Sequence, residues 1–133
     1  MTSLDLLKYA ESKGIIIEYS KLPEVGSCAV DLDGLCVIGI DDRDMTEAEK
    51  RVHLAHELGH CETGAFYNMY SPVDNRSKNE YKANAWAIKK ILPKERMLDA
   101  FKNGLTEKWQ LAEEFSVTEE FIVKAFNYYF QQN

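Results

Sequence analysis

The chain has 133 residues, 45% hydrophobic and 29% charged, with a formal net charge of −6. That length supports one well-buried core rather than two, and the mix is that of a soluble globular protein. The acidic balance argues against general affinity for nucleic acid, which needs clustered Lys and Arg.

The first segment, Thr2 to Lys13, reads as a short helix: Thr2 and Asp5 form a capping-box pattern, Leu4, Leu7 and Ala10 share a face, and Gly14 ends it. Ile15-Ile16-Ile17-Glu18-Tyr19 is β-branched and strand-like. Lys21 to Ser27 is a loop broken by Pro23 and Gly26. Cys28 to Leu32 and Leu35 to Ile40 flank Asp33-Gly34, a strong two-residue hairpin signal. These three strands predict a small antiparallel sheet. Leu35 to Ile40 is read as an edge strand, open to an extended substrate backbone; as a central strand it would be only core.

Asp41 to Asp44 is an acidic turn, and Thr46 with Glu49 opens a second capped helix. Val52, Ala55 and Gly59 lie on one side of it and Leu54, Leu58 and Cys61 on another, so this helix is expected to be central and buried. Gly64 to Lys78 reads as an irregular loop. Asn79 to Leu92 is the next helix, broken by Pro93, and Lys94 to Lys102 follows. Thr106 to Phe115 and Thr118 to Phe130 are two further helices. The last carries Phe121, Ile122, Ala125, Phe126, Tyr129 and Phe130 along one stripe, which predicts packing into the core.

The chemistry is concentrated in His56-Glu57-Leu58-Gly59-His60, an HExxH pattern. Residues four apart on a helix stand one above the other, so His56 and His60 can aim both imidazoles at one zinc ion. Glu57 then lies beside the pair, where it can take a proton from a water on the metal. The chain has three His in all, which makes this spacing informative. A catalytic zinc takes a third protein ligand and leaves one position open. Glu62 and Cys61 point away from the shared face. Glu80 is the favoured third ligand, at the start of the next helix. Asp74 ranks behind it, and His53 is the weakest. Asn84, four residues past Glu80, faces the same way and can hydrogen-bond a ligating side chain.

Two blocks now resemble a known family. Leu54-Ala55-His56-Glu57-Leu58-Gly59-His60 is similar to the core of the ImmA/IrrE metallopeptidases, and Glu80 to Ala87, with Ala83-Asn84 and Trp86, resembles that family's second block. Ile91-Leu92-Pro93 resembles the close of the same helix. The likeness covers about Leu35 to Pro93 well and the rest more loosely. It implies a small cytoplasmic zinc peptidase of the phage or mobile-element type. Such enzymes cut a helix-turn-helix repressor at one site and so derepress the genes it silences. Carried onto this chain, His56, His60 and Glu80 are zinc ligands and Glu57 is the general base. Family members often have a bulky apolar or aromatic residue near the position of His53 and a second acidic residue near that of Lys82. This chain departs at both, and its gap before Glu80 looks short.

Competing readings are set beside this one. His53 reads as a partly buried histidine rather than a ligand, and Cys61 as a packed thiol whose oxidation could modulate a neighbouring metal. Tyr67, Tyr70 and Arg76 are candidate oxyanion or substrate contacts, and equally plain surface residues. Ala112 to Thr118 resembles the turn of a helix-turn-helix. However, Lys94 to Asn133 holds five basic and seven acidic residues, a net of −2, which offers no phosphate-binding face. The three cysteines, Cys28, Cys36 and Cys61, form no framework spacing and suggest a reducing compartment. Thr2-Ser3-Leu4-Asp5 shows no basic or apolar leader, and no apolar run is long enough to span a bilayer.

The expectation is therefore an α+β fold of residues 1–133. A three-stranded antiparallel sheet packs on a central HExxH helix (residues 1–93), with a C-terminal helical part (94–133). The expected activity is that of a cytoplasmic zinc (Zn2+) endopeptidase acting on a protein substrate, with no direct nucleic-acid or membrane partner. The alternative is a regulator that binds a repressor, or less readily DNA, without cutting it. Manganese or iron would suit the same ligands.

Overall fold

A computed structural model describes residues 1–66 and 72–131. Its elements run α1 (Ser3–Ser12), β1 (Ile16–Tyr19), β2 (Ser27–Leu32), β3 (Leu35–Ile40), α2 (Glu47–Thr63), α3 (Val73–Ile91), α4 (Lys94–Lys102), α5 (Lys108–Phe115) and α6 (Glu119–Phe130). The fold is α+β. Both anticipated capping boxes are formed, Thr2 with Asp5 on α1 and Thr46 with Glu49 on α2. Each satisfies two backbone N–H groups that the first turn leaves without partners.

The sheet departs from the antiparallel expectation. Its order is β1-β3-β2, with β1 parallel to β3 and β2 antiparallel to it. The hairpin forms at Asp33-Gly34, where both residues have positive φ (52° and 90°), as a type I′ turn requires. The segment between β1 and β2 carries the chain across to the far side of β3. It is pinned there by Ser20 N–H donating to the Ile40 carbonyl and by Leu22 N–H donating to the Asp41 carboxylate. The apolar β3, with Ile38 and Ile40 fully buried, takes the centre. It is therefore not an edge, and β2 is the edge strand beside α2.

α2 runs through the middle of the molecule, with Leu54, Ala55, Leu58 and Gly59 buried. α3 is its main partner. A Cβ added at Gly59 would overlap the Ala83 carbonyl oxygen and lie 3.0 Å from the Ala83 Cα, so this crossing needs glycine on α2 and a small residue on α3. α3 begins at Val73, six residues before the expected start. Its first turn is exposed and polar, so it shows no apolar period. Pro72 and the first-turn Asp74 are the start signals that were available. Glu80 therefore lies about two turns into the helix rather than at its start.

Arg51 of α2 is 4% exposed. Its guanidinium donates to the carbonyls of Met1, Phe115 and Ser116 and so ties the start of the chain and the end of α5 to the central helix. The negative end of the α5 dipole suits this buried cation. On α6, Phe121, Ile122 and Ala125 are buried, but Phe126 (38%) and Phe130 (36%) remain exposed. The expected stripe is thus core only over its first half. Tyr129 closes the helix by donating its hydroxyl to the Leu92 carbonyl.

The expectation of free thiols fails in part. Cys36 of β3 and Cys61 of α2 form a disulfide, with Cα atoms 5.8 Å apart, and Cys28 is free. Cys61 points away from the metal-ligand face, as its position predicted, and that direction brings it onto the sheet. No helix among the described residues is long and apolar enough to cross a membrane.

Candidate metal centre

The capped start of α2 sets the helical phase that stacks His56 over His60. Their Nε2 atoms lie 3.2 Å apart. The Gly59–Ala83 contact brings α3 close enough for Glu80, one turn before Ala83, to reach both. Glu80 Oε2 lies 2.9 Å from His56 Nε2, and Oε1 lies 3.0 Å from His60 Nε2. Among the described residues, these three form a group that could hold a metal ion. Asp74 is exposed on the first turn of α3 and does not join them, and His53 turns toward the sheet instead.

The protons decide whether a cation fits. His60 Nδ1 lies 2.6 Å from the Ala65 carbonyl, which can only accept, so Nδ1 carries the proton. His56 Nδ1 lies 2.8 Å from Asn84 Oδ1 and donates to it in the same way. In its neutral form each ring then presents a bare Nε2 lone pair to the other and to the Glu80 carboxylate, and a protonated ring would donate to Glu80 from the same atom. Three acceptors converging without a donor repel one another unless a cation or a proton sits among them. Donors around a tetrahedral zinc at ordinary bond lengths are separated by about 3.3 Å, close to the 3.2 Å observed here. The titration of His60 points the same way. Burial opposes its charged form, but the Glu80 carboxylate and the Ala65 carbonyl outweigh burial and raise its pKa above the ordinary value. The pocket attracts positive charge.

Glu57 lies on the sheet side of the same helix and is 6% exposed. Its Oε2 accepts from the Ser27 hydroxyl at 2.7 Å, and Ser27 Oγ lies 2.6 Å from His53 Nδ1. Burial lowers the pKa of His53, helped by His56 and opposed by Glu57, which favours a neutral ring. Ser27 was not anticipated, because nothing in the β2 sequence marks a polar residue that will face an acid 30 positions later.

These groups open onto a cleft of about 560 Å³. Its walls are α2 and α3, the start of β2 (Ser27, Ala29) and α6 (Phe121, Lys124). Thr118, the last residue of the segment that resembles a helix-turn-helix, lines the same cleft. Arg76 lies one turn ahead of Glu80 on α3. Tyr67 and Tyr70 lie outside the described residues.

Fold and site together define an α+β domain in which two packed helices present a His-His-Glu donor set. The family model for the IrrE N-terminal-like domain, an M78 peptidase family, matches residues 10–127, and the chain belongs to that family of metallopeptidases. Neither a curated protein nor a solved structure matches the chain.

Proposed function

We propose that the chain is a zinc-dependent endopeptidase. In this reading His56, His60 and Glu80 hold the metal, Asn84 orients His56, and Glu57 is the general base. The observation that carries it is the meeting of three lone-pair donors with a buried carboxylate in one open cleft. A divalent cation held there would acidify a water and polarise the scissile carbonyl. Glu57 takes a proton from the attacking water as its oxygen bonds to the carbonyl carbon. It then returns that proton to the amide nitrogen as the C–N bond breaks. Ala65 and Asn84 keep the two imidazoles in the tautomer that leaves Nε2 free. Arg76 is a candidate for stabilising the developing oxyanion, and Tyr67 and Tyr70 are further candidates on sequence grounds.

The edge strand β2 supports a polypeptide substrate. Its hairpin turn makes Leu32 and Leu35 a hydrogen-bonded pair, and alternation from there leaves the backbone groups of Ala29 and Asp31 on the free edge. An extended peptide added at that edge would run beside Glu57. The specific substrate we infer is a helix-turn-helix repressor, in a cytoplasmic setting of the phage or mobile-element type, and family membership is what supports it.

Co-expression with a helix-turn-helix repressor encoded beside the gene tests this, with repressor mass read by mass spectrometry. A discrete cut by the wild type and none by Glu57→Gln is expected. An intact repressor that co-purifies with the wild type would instead favour a regulator that binds without cutting.

A further inference from the structure

Ser27 stands between Glu57 and His53, 2.7 Å from the one and 2.6 Å from the other. A serine hydroxyl has one proton to give. The hydroxyl donates to Glu57 Oε2, so Ser27 Oγ must accept from the ring of His53. The reverse arrangement would turn the hydroxyl toward His53 and leave two acceptor oxygens 2.7 Å apart in a buried place, which is costly. His53 therefore carries its proton on Nδ1.

We propose that Ser27 and His53 are positioning residues for Glu57, linked as His53 Nδ1–H to Ser27 Oγ and Ser27 O–H to Glu57 Oε2. This rests on the peptidase reading above, in which Glu57 is the base. The link occupies Oε2 and leaves Oε1 to exchange the proton with water and the leaving amine. It also fixes the carboxylate from the sheet, independently of the contacts that hold the metal donors.

The surroundings are built to keep the chain of bonds in place. Ser27 is 7% exposed and begins β2 opposite Ile40, and the Asp41 N–H donating to the Gly26 carbonyl ties the turn before it to the end of β3. The preceding Gly26 has φ +76°, and a Cβ there would come within 3.1 Å of His53 Cε1. The turn into β2 thus lies against the ring, and a larger residue there would crowd it and Met45. Among the described residues no buried side-chain polar atom lacks a partner, and Ser27 Oγ has both of its partners within this trio.

The deciding experiment is NMR of the 15N-labelled, zinc-loaded full chain, reading the two ring nitrogens of His53. We expect the Nδ1–H tautomer in the wild type and its loss in Ser27→Ala. An Nε2–H tautomer in the wild type would overturn the proposal, whatever the activity. Kinetics then separates positioning from mere structure. Ser27→Ala should lower kcat by about 10- to 100-fold with KM and zinc content unchanged. Ser27→Thr, which keeps the hydroxyl, should restore most of it. His53→Asn, with an amide N–H near the place of Nδ1, should outperform His53→Leu. Wild-type kcat in Ser27→Ala, or a loss explained by lost zinc, would overturn the positioning role. If the wild type cuts nothing, the peptidase reading fails, while the tautomer still decides the hydrogen-bond assignment.

Discussion

The two halves of the site are held by different means. The donor half lies between two helices. His56 and His60 are fixed by helical phase, and Glu80 is brought in where Gly59 meets the Ala83 backbone. The base half lies between a helix and a strand. Glu57 is held by a single hydroxyl from β2, which in turn leans on His53. Backbone contact gives the donor half its precision, and side-chain hydrogen bonding gives the base half its own. The two halves should therefore fail separately.

Glu57→Gln gives the largest effect and breaks only the base half. Loss of a general base costs about 10²- to 10⁴-fold in kcat. Zinc content, measured by elemental analysis, should stay at the wild-type level. A variant that cleaves at the wild-type rate would remove Glu57 from that role. Reduction of Cys36–Cys61 acts on the tie between the sheet and α2. Closing a loop of this length contributes roughly 3 kcal/mol, so Tm under reductant should fall by about 10 °C. In a reducing compartment the pair would rest as thiols, and the lower value would be the working one.

Gly59→Ala attacks the donor half through its backbone contact. The added methyl overlaps the Ala83 carbonyl, and overpacking of this kind costs about 1–3 kcal/mol. Because it moves α3, zinc affinity should fall along with stability in chemical denaturation. Asn84→Ala is milder. It removes the partner of His56 Nδ1 and should weaken zinc binding by about 10- to 100-fold while leaving the fold intact. Acidification gives a graded effect. His60 must be neutral to bind metal, and its pKa is raised. A proton therefore competes with zinc as pH falls through that raised value, and affinity is highest above it. Isothermal titration across this window should show proton release on binding.

The local parts of this protein were open to reading from the chain. Thr46 and Glu49 mark a helix start, and the four-residue step from His56 to His60 places both rings on one face. Asp33-Gly34 selects a hairpin. Each depends on residues close in sequence, whose geometry follows from helix pitch or turn type. Glu80 and Asn84 stood out because their spacing puts them on one face of a second helix. The resemblance in that block supported the choice of Glu80.

Other features depended on distant partners. The strand order β1-β3-β2 turns on which strand the core buries deepest, and hydrophobic alternation alone does not state that. The early start of α3 was hidden because an exposed turn carries no apolar period. Ser27 facing Glu57, Arg51 reaching three carbonyls, and Cys36 meeting Cys61 are pairings across 25 to 65 positions. By itself the sequence determined the helices, the hairpin and the chemistry of the donor set, because these follow from short-range backbone geometry. Only the tertiary structure decided which strand borders the cleft and which hydroxyl meets the Glu57 carboxylate. Those follow from how the elements pack, and packing is set by the whole core at once.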